Sequence, residues 1–142
     1  MTPTLRGDGD VLTNGILNAD LAAALARLRH TDHVVVADCG LPEPPGIPVV
    51  DLALVFGIPR FQQVLAALCA ELTVEAAVLA TEAHETPVED WVARELPQLH
   101  PEFVPHDGPG GFKQLSSGAA LVVRSGEATP YANVLLRCGV PF

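Results

Sequence analysis

Leucines recur at positions 17, 21, 25 and 28, and steps of three or four residues put them along one stripe of a helix. Asn18 stands where a side-chain oxygen can cap that helix, and Asp20 falls in its first turn. Arg27, Arg29 and His30 fall at its C-terminal end, where positive charge suits the helix dipole. The pattern then changes to a β-branched run, His33-Val34-Val35-Val36-Ala37, which predicts a buried strand. It stops at Asp38-Cys39-Gly40, and Pro42, Pro44, Pro45 and Pro48 predict an irregular surface loop. Pro59 suits the first turn of a second helix, whose apolar stripe is Phe61, Val64, Leu65, Leu68 and Leu72. Residues 74–80 are another apolar strand. Thr86-Pro87-Val88-Glu89 has the form of a capping box with proline at the first helical position, ahead of a helix burying Val88, Trp91, Val92 and Leu96. A short strand at 102–104, a turn at 107–111 and a short helix carrying Phe112 and Leu115 follow. Two last strands, 119–123 and 133–138, are separated by a turn region with Ser125-Gly126 and Pro130.

Helices and strands alternate, and the strands are apolar throughout, so both sheet faces are expected to be covered. The fold class that follows is α/β: a single-domain layered fold with a largely parallel central sheet flanked by helices. A length of 142 residues leaves room for one core only. Residues 1–14, rich in Gly, Asp, Thr and Pro without periodicity, are expected to form a flexible arm, and residues 15–142 the domain.

Composition narrows the partners. Eight Lys and Arg against 17 Asp and Glu give a net charge of −9, which suits neither nucleic acid nor an anionic membrane. Hydrophobic residues reach 49% and mean hydropathy is +0.31, a high apolar load for a small domain, which suggests burial against other copies of the chain. No stretch approaches the 18 or so apolar residues of a membrane span, and no apolar region follows the N-terminus as in a secretory signal. Cys39, Cys69 and Cys138 are odd in number and widely spaced, so neither a disulfide framework nor a zinc knuckle is expected. A reduced, cytoplasmic setting fits.

Asp38 is the strongest local signal, because ligands in open α/β sheets bind beyond the carboxyl ends of strands. Gly40 beside it allows close approach; the alternative is an Asx-turn that merely closes the strand. His30 is either a helix C-terminal histidine or an acid/base group, and His30, Asp32 and His33 make a weak metal-ligand set. Gly108-Pro109-Gly110-Gly111-Phe112-Lys113 lacks the ending of a phosphate loop and predicts a plain turn, with Lys113 an isolated cation. Cys39 has no evident base nearby and is expected to be a buried thiol. Glu82, Glu85, Glu89 and Asp90 are expected on a solvated face, with His84 and His100 at the surface. Tyr131 and Asn133 together offer donors, acceptors and a stacking face, which suits a polyhydroxylated ligand as well as a packed loop.

In order along the chain stand Leu17-Asn18-Ala19-Asp20, His30-Thr31-Asp32, Val36-Ala37-Asp38-Cys39-Gly40-Leu41-Pro42, Gly57-Ile58-Pro59, Val74-Glu75-Ala76-Ala77, Phe112-Lys113, Arg124-Ser125-Gly126-Glu127 and Pro130-Tyr131-Ala132-Asn133. This ordered set resembles the D-ribose pyranase / L-fucose mutarotase family (the RbsD/FucU group) and spans nearly the whole chain after the arm. The Tyr-Ala-Asn triplet and the Phe-Lys pair look like the ribose branch; the fucose branch more often has Tyr-Gly-Asn. The resemblance implies an isomerase that interconverts sugar ring forms and anomers without metal or organic cofactor, D-ribose being the expected substrate. L-fucose or another monosaccharide, or a non-catalytic sugar-binding role in an uptake system, are the alternatives. It further implies that His30 is the catalytic histidine, that Asp38, Tyr131, Ala132 and Asn133 contact sugar, and that His106 and Lys113 take the places of a second histidine and a lysine. It also implies a ring-like homo-oligomer.

The sequence departs from the family at three places. Arg29 replaces the glycine that usually precedes the histidine, residues 107–111 widen the gap between His106 and Lys113, and the stretch between Ala77 and Lys113 is shortened. The chemistry suits the residues: opening a pyranose needs one proton removed from the anomeric hydroxyl and one delivered to the ring oxygen, and histidine can do both near neutrality. Position adds a constraint. Eight extended residues would separate His30 from Asp38 by roughly 26 Å. They share a site only if the segment 30–33 doubles back or if neighbouring subunits supply them.

Overall fold

The computed structural model describes residues 12–142, so most of the expected arm, residues 1–11, lies outside the described residues. Helix α1 (Ala19–Ala26) is capped by Asn18, whose side-chain oxygen accepts the Leu21 N–H at 2.9 Å. Strands β1 (His33–Ala37), β2 (Val49–Asp51) and β3 (Val74–Ala80) alternate with helix α2 (Phe61–Glu71), and a 3₁₀ turn (Thr81–Ala83) leads to helix α3 (Pro87–Glu95). Strand β4 (Glu102–Val104), the short helix α4 (Phe112–Ser116) and strands β5 (Leu121–Arg124) and β6 (Val134–Cys138) complete the chain.

The six strands form one sheet in the order β2-β5-β1-β6-β3-β4. β1, β2 and β5 run parallel, as do β3 and β4, while β6 is antiparallel to both β1 and β3. Five strands therefore share one direction and β6 alone opposes them, so the sheet is mixed, though mostly parallel as expected. The strand sequences are mostly apolar because successive side chains enter different cores, the charged exceptions being Asp51, Glu75, Glu102, Arg124 and Arg137. Val34 and Val36 of β1, with Leu121, Val123, Val134 and Leu136, face the core closed by Phe61, Leu65 and Leu68 of α2 and Val88 and Val92 of α3. Val35 and Ala37, with Val122 and Leu135, face the opposite core, closed by Phe112 of α4 and Leu41. Three helices thus cover one face, and a five-residue helix with the 40–48 loop covers the other.

Several local expectations are corrected. Pro59 precedes α2 rather than opening it: Arg60 is the cap residue, and its N–H donates to Gln63 Oε1 at 2.8 Å. Thr86 does cap α3 with Pro87 at the first position, but there is no capping box, because the Thr86 hydroxyl donates to the Ala83 carbonyl and Glu89 accepts from the Glu85 N–H instead. Strand β2 was hidden by the prolines around it. It is a sheet edge, where a preceding proline removes no needed donor, and the Pro48 carbonyl accepts from the Val122 N–H. Among the described residues no helix is long and apolar enough to cross a membrane.

The topology places the site. β5 and β6 lie on either side of β1, so the segment 125–133 must cross the carboxyl end of β1, where Asp38 stands. The crossing is pinned there: the Ser125 N–H and hydroxyl both donate to the Ala37 carbonyl, and the Cys39 N–H donates to the Glu127 carbonyl. Gly126 passes so close to the 55–58 turn that a Cβ would lie 2.5 Å from the Ile58 carbonyl oxygen, a contact that only glycine avoids.

Candidate active site

Asp38 is 8% exposed and is held by four hydrogen bonds. Its Oδ1 accepts from the N–H groups of Gly40 (3.0 Å) and Leu41 (2.8 Å), forming the Asx-turn foreseen as one alternative. Its own N–H donates to Asn133 Oδ1 at 2.8 Å, and Asn133 Nδ2 donates to Asp38 Oδ2 at 3.3 Å. Oδ1 is thus committed to the backbone, while Oδ2 has one long partner and lone pairs to spare. Burial pushes the carboxyl above its ordinary value of 3.8, against the opposing pull of those amide donors and of the nearby His106 ring.

A cavity of about 390 Å³ opens beside this pair, lined by Asp38, Cys39, Gly40, Leu41, Pro42, Phe56, His106, Glu127, Ala128, Pro130, Tyr131 and Asn133. Tyr131 adopts a left-handed backbone (φ 60°), uncommon for a bulky residue, and the Asn133 N–H closes a tight turn on the Tyr131 carbonyl at 2.8 Å. Such strain at a cavity wall fits a positioned functional side chain. The His106 ring stands edge-on to Tyr131 (centroids 5.1 Å apart) and stacks on Phe112 at 6.3 Å. Its Nδ1 is buried and has no hydrogen-bond partner among the described residues, so packing against Tyr131 and Phe112 orients the imidazole there. Its main chain is held by Glu82, whose carboxylate accepts the His106 N–H at 3.1 Å.

The expected site residues divide into groups. Asp38, His106, Tyr131 and Asn133 meet at this cavity. The inserted residues 107–111 do not carry His106 away from Lys113: they fold into a turn with positive φ at Gly108 and Gly110, and the Lys113 N–H donates to the His106 carbonyl. The Lys113 side chain lies off the cavity, 3.2 Å from Asp107. Ala132 is fully buried and belongs to the helix-covered core.

His30 is elsewhere. It sits in the turn joining α1 to β1, at the opposite end of β1 from Asp38, with Nε2 3.4 Å from Glu75 Oε2. Glu75 in turn accepts from Arg137 Nε at 2.6 Å, which together with His30 holds its carboxyl below the usual range. The turn does not double back. The left-handed residue is Thr31 (φ 72°), not Arg29, the Arg29 N–H is taken by Asp32 Oδ2, and the Thr31 N–H donates to the Cys138 carbonyl. His30 borders a second cavity, also about 390 Å³, walled by α1, Leu72 and the C-terminal residues 138–142.

Sequence reasoning assigned no role to Phe56 or Glu127, and Cys39, expected to be buried, is half-exposed on the cavity wall. Glu82 and Glu89, expected on a solvated face, both have partners: Glu89 accepts from the Glu85 N–H and pairs with His84 Nδ1 at 2.8 Å. Glu127 is 4% exposed and links the cavity wall to α2: its Oε1 accepts the Phe61 N–H and its Oε2 the Thr129 hydroxyl. Burial alone would raise its carboxyl, but the Thr129 and Phe61 donors and the Arg60 charge outweigh it and hold it below the ordinary 4.5. A lowered carboxyl pKa stabilises the fold fully above the unfolded value and loses that contribution as pH falls through the folded one. Glu127→Gln is therefore expected to destabilise the protein by about 1–2 kcal/mol at pH 7. The deficit should shrink toward pH 3, as read by urea denaturation at the two pH values.

The model of the family described as "RbsD / FucU transport protein family" matches residues 12–141. The D-ribose pyranase of Streptomyces coelicolor is 54% identical over 130 residues, covering 90% of this chain and 97% of that protein. The D-ribose pyranase of Cutibacterium acnes is 47% identical over 129 residues, covering 91% and 98%. Among solved structures, Bacillus subtilis RbsD complexed with D-ribose superposes with a TM-score of 0.85 at 40% identity, covering 93% of this chain and all of that one. FucU from Bifidobacterium longum, with a TM-score of 0.71 at 22% identity, shares the fold. The fold is thus that of a known kind of protein, and this chain belongs to the RbsD/FucU family.

Proposed function

We propose that this chain is a D-ribose pyranase, an isomerase that interconverts the pyranose and furanose forms, and the anomers, of D-ribose. The observation that carries the reading is the meeting of Asp38, Asn133, Tyr131 and His106 around one cavity, in a chain half identical to proteins named for that activity. The free lone pairs of Asp38 Oδ2 accept a sugar hydroxyl, Tyr131 and His106 supply further polar atoms, and Leu41, Pro42 and Phe56 offer apolar wall to the carbon skeleton.

In the reaction a base takes the proton of the anomeric hydroxyl, the bond from the anomeric carbon to the ring oxygen breaks, and that oxygen receives a proton. The open chain holds a carbonyl. Attack by a different hydroxyl gives the furanose, and attack on the other carbonyl face gives the other anomer. His30 is the proton carrier in this proposal, and because it lies at the far end of β1 it reaches the sugar from a neighbouring subunit. The active form is then a homo-oligomer, ring-like as in the family, acting in the cytoplasm; Ala132 positions its neighbours from the core, and Lys113 bears on the site through its main-chain bond to His106.

Saturation-transfer NMR of D-ribose, L-fucose and D-galactose reads ring exchange directly. Accelerated pyranose–furanose exchange of ribose is the expected result. Exchange of fucose anomers without any effect on ribose would move the protein to the mutarotase reading, and binding without exchange would make it a sugar-binding accessory.

A further inference from the structure

Asp38 closes β1 in a turn whose central residues are Cys39 and Gly40, and the peptide group joining those two has a partner on each side. Its N–H, that of Gly40, donates to Asp38 Oδ1 at 3.0 Å. Its carbonyl, that of Cys39, accepts twice from Arg124, from Nη2 at 2.8 Å and from Nε at 3.2 Å. Arg124 is itself aimed, because Nη1 donates to Asp51 Oδ2 at 2.8 Å on the edge strand β2. Every guanidinium nitrogen is thus engaged, in the fixed fork of a planar group. Arg124 does not line the Asp38 cavity; it borders an adjoining hollow of about 350 Å³ that shares Cys39 and Phe56 with it.

The Cys39–Gly40 peptide is the one in this turn that glycine leaves free to flip. Gly40 lies outside the left-handed region here. A flipped peptide would place it there, which glycine tolerates at little cost. The flip would take the Gly40 N–H away from the Asp38 carboxylate and set the Cys39 carbonyl oxygen in its place. It would also break both bonds from Arg124. A carbonyl bound by a charged donor polarises its own N–H, which strengthens the bond to Oδ1.

We propose that Arg124 is a positioning residue for sugar binding: it locks the Cys39–Gly40 peptide, which commits Asp38 Oδ1 to the backbone and leaves Oδ2 for a sugar hydroxyl. This deepens the reading of the Asp38 site above and rests on it. Without the lock the gripping arrangement holds only part of the time, and affinity falls by that fraction. A sugar that does bind meets the same groups and reacts at the same rate.

Arg124→Met tests this. The Arg124 side chain is 30% exposed and Asp51 is 47% exposed, so solvent takes up the carboxylate left behind, and circular dichroism checks that folding is retained. In calorimetric titration D-ribose affinity is expected to fall about 3- to 10-fold, a usual coupling within one hydrogen-bond network. Ring exchange at saturating ribose, read by saturation-transfer NMR, should stay within about twofold of the parent. Two backgrounds show whether the effect passes through this peptide. With Asp38→Asn in place, Arg124→Met should cost less than about twofold in affinity, because the grip it serves is already lost. With Gly40→Ala in place it should also cost less than about twofold, because alanine disfavours the flipped turn. The present turn accepts that alanine: its Cβ would meet nothing nearer than Asp38 Oδ1 at 3.8 Å. A role in stability alone would lower the urea midpoint alike in all backgrounds and leave affinity unmoved. Parent affinity in Arg124→Met, or an undiminished loss in the Asp38→Asn background, overturns the positioning role. An undiminished loss in the Gly40→Ala background overturns the peptide lock. Parent affinity in Asp38→Asn alone overturns the grip of Asp38 on the sugar, and this inference with it.

Discussion

Replacing His30 by alanine is expected to slow D-ribose ring exchange by about 10²- to 10⁴-fold, the usual contribution of a positioned general acid–base group. Affinity for ribose should change little. The side chains that would grip the sugar, Asp38, Asn133, Tyr131 and His106, all stand at the other end of β1 and make no contact with His30 in the same subunit. His30 is half-exposed, and among the described residues its side-chain partner is Glu75 alone, so losing the ring leaves no buried donor or acceptor unsatisfied there and costs the fold little. Rate and binding therefore separate. Saturation transfer gives the rate, and calorimetric or NMR titration of ribose gives the affinity. Exchange at the parent's rate would end the role of His30 and pass it to His106, the imidazole that borders the Asp38 cavity.

The elements that carry the sheet were legible because their sequences meet two demands at once. β1 and β3 are apolar apart from His33 and Glu75, because alternate residues feed separate cores, and their bounds coincide with the expected ones. Two features were not legible. β2 has only three residues and sits among prolines, too short for any period to register. The opposed direction of β6 follows from strand order, and an apolar five-residue strand carries no mark of its direction. The same limit governs the site. Asp38, Tyr131 and Asn133 could be singled out by type and by position at strand ends. Phe56 and Glu127 could not, because their place depends on Gly126 allowing two distant loops to touch. The separation of His30 from Asp38 was legible, since it needs only the length of an extended strand. Where the turn at 29–32 would point was not: the left-handed residue is Thr31, a type that seldom takes that conformation.

Asp38 carries a structural role and a proposed chemical one, and two substitutions separate them. Asp38→Ala removes the acceptor for the Gly40 and Leu41 N–H groups and the partner of the Asn133 amide. It is expected to cost about 1–3 kcal/mol of stability through the stranded donors and to abolish ribose binding. Asp38→Asn keeps an oxygen for the Asx-turn but turns an amide group toward Asn133 Nδ2. That clash costs about 1 kcal/mol, and losing a charge that burial disfavours offsets it. Burial raises the folded pKa of Asp38 above the unfolded 3.8, so the native state holds the proton more tightly. Stability from this group is full below 3.8 and declines as pH rises through the folded value; in Asp38→Asn that decline disappears. The carboxylate thus works against the fold at neutral pH, as expected of a group kept for the proposed grip on a sugar hydroxyl. Asp38→Asn should accordingly stay within about 1 kcal/mol of the parent in urea denaturation at pH 7. Its ribose affinity should fall by about 10- to 100-fold, the worth of one charge-assisted hydrogen bond to a hydroxyl. Unchanged affinity in that variant would reduce Asp38 to the closing turn of β1 and leave Tyr131, Asn133 and His106 to hold the sugar.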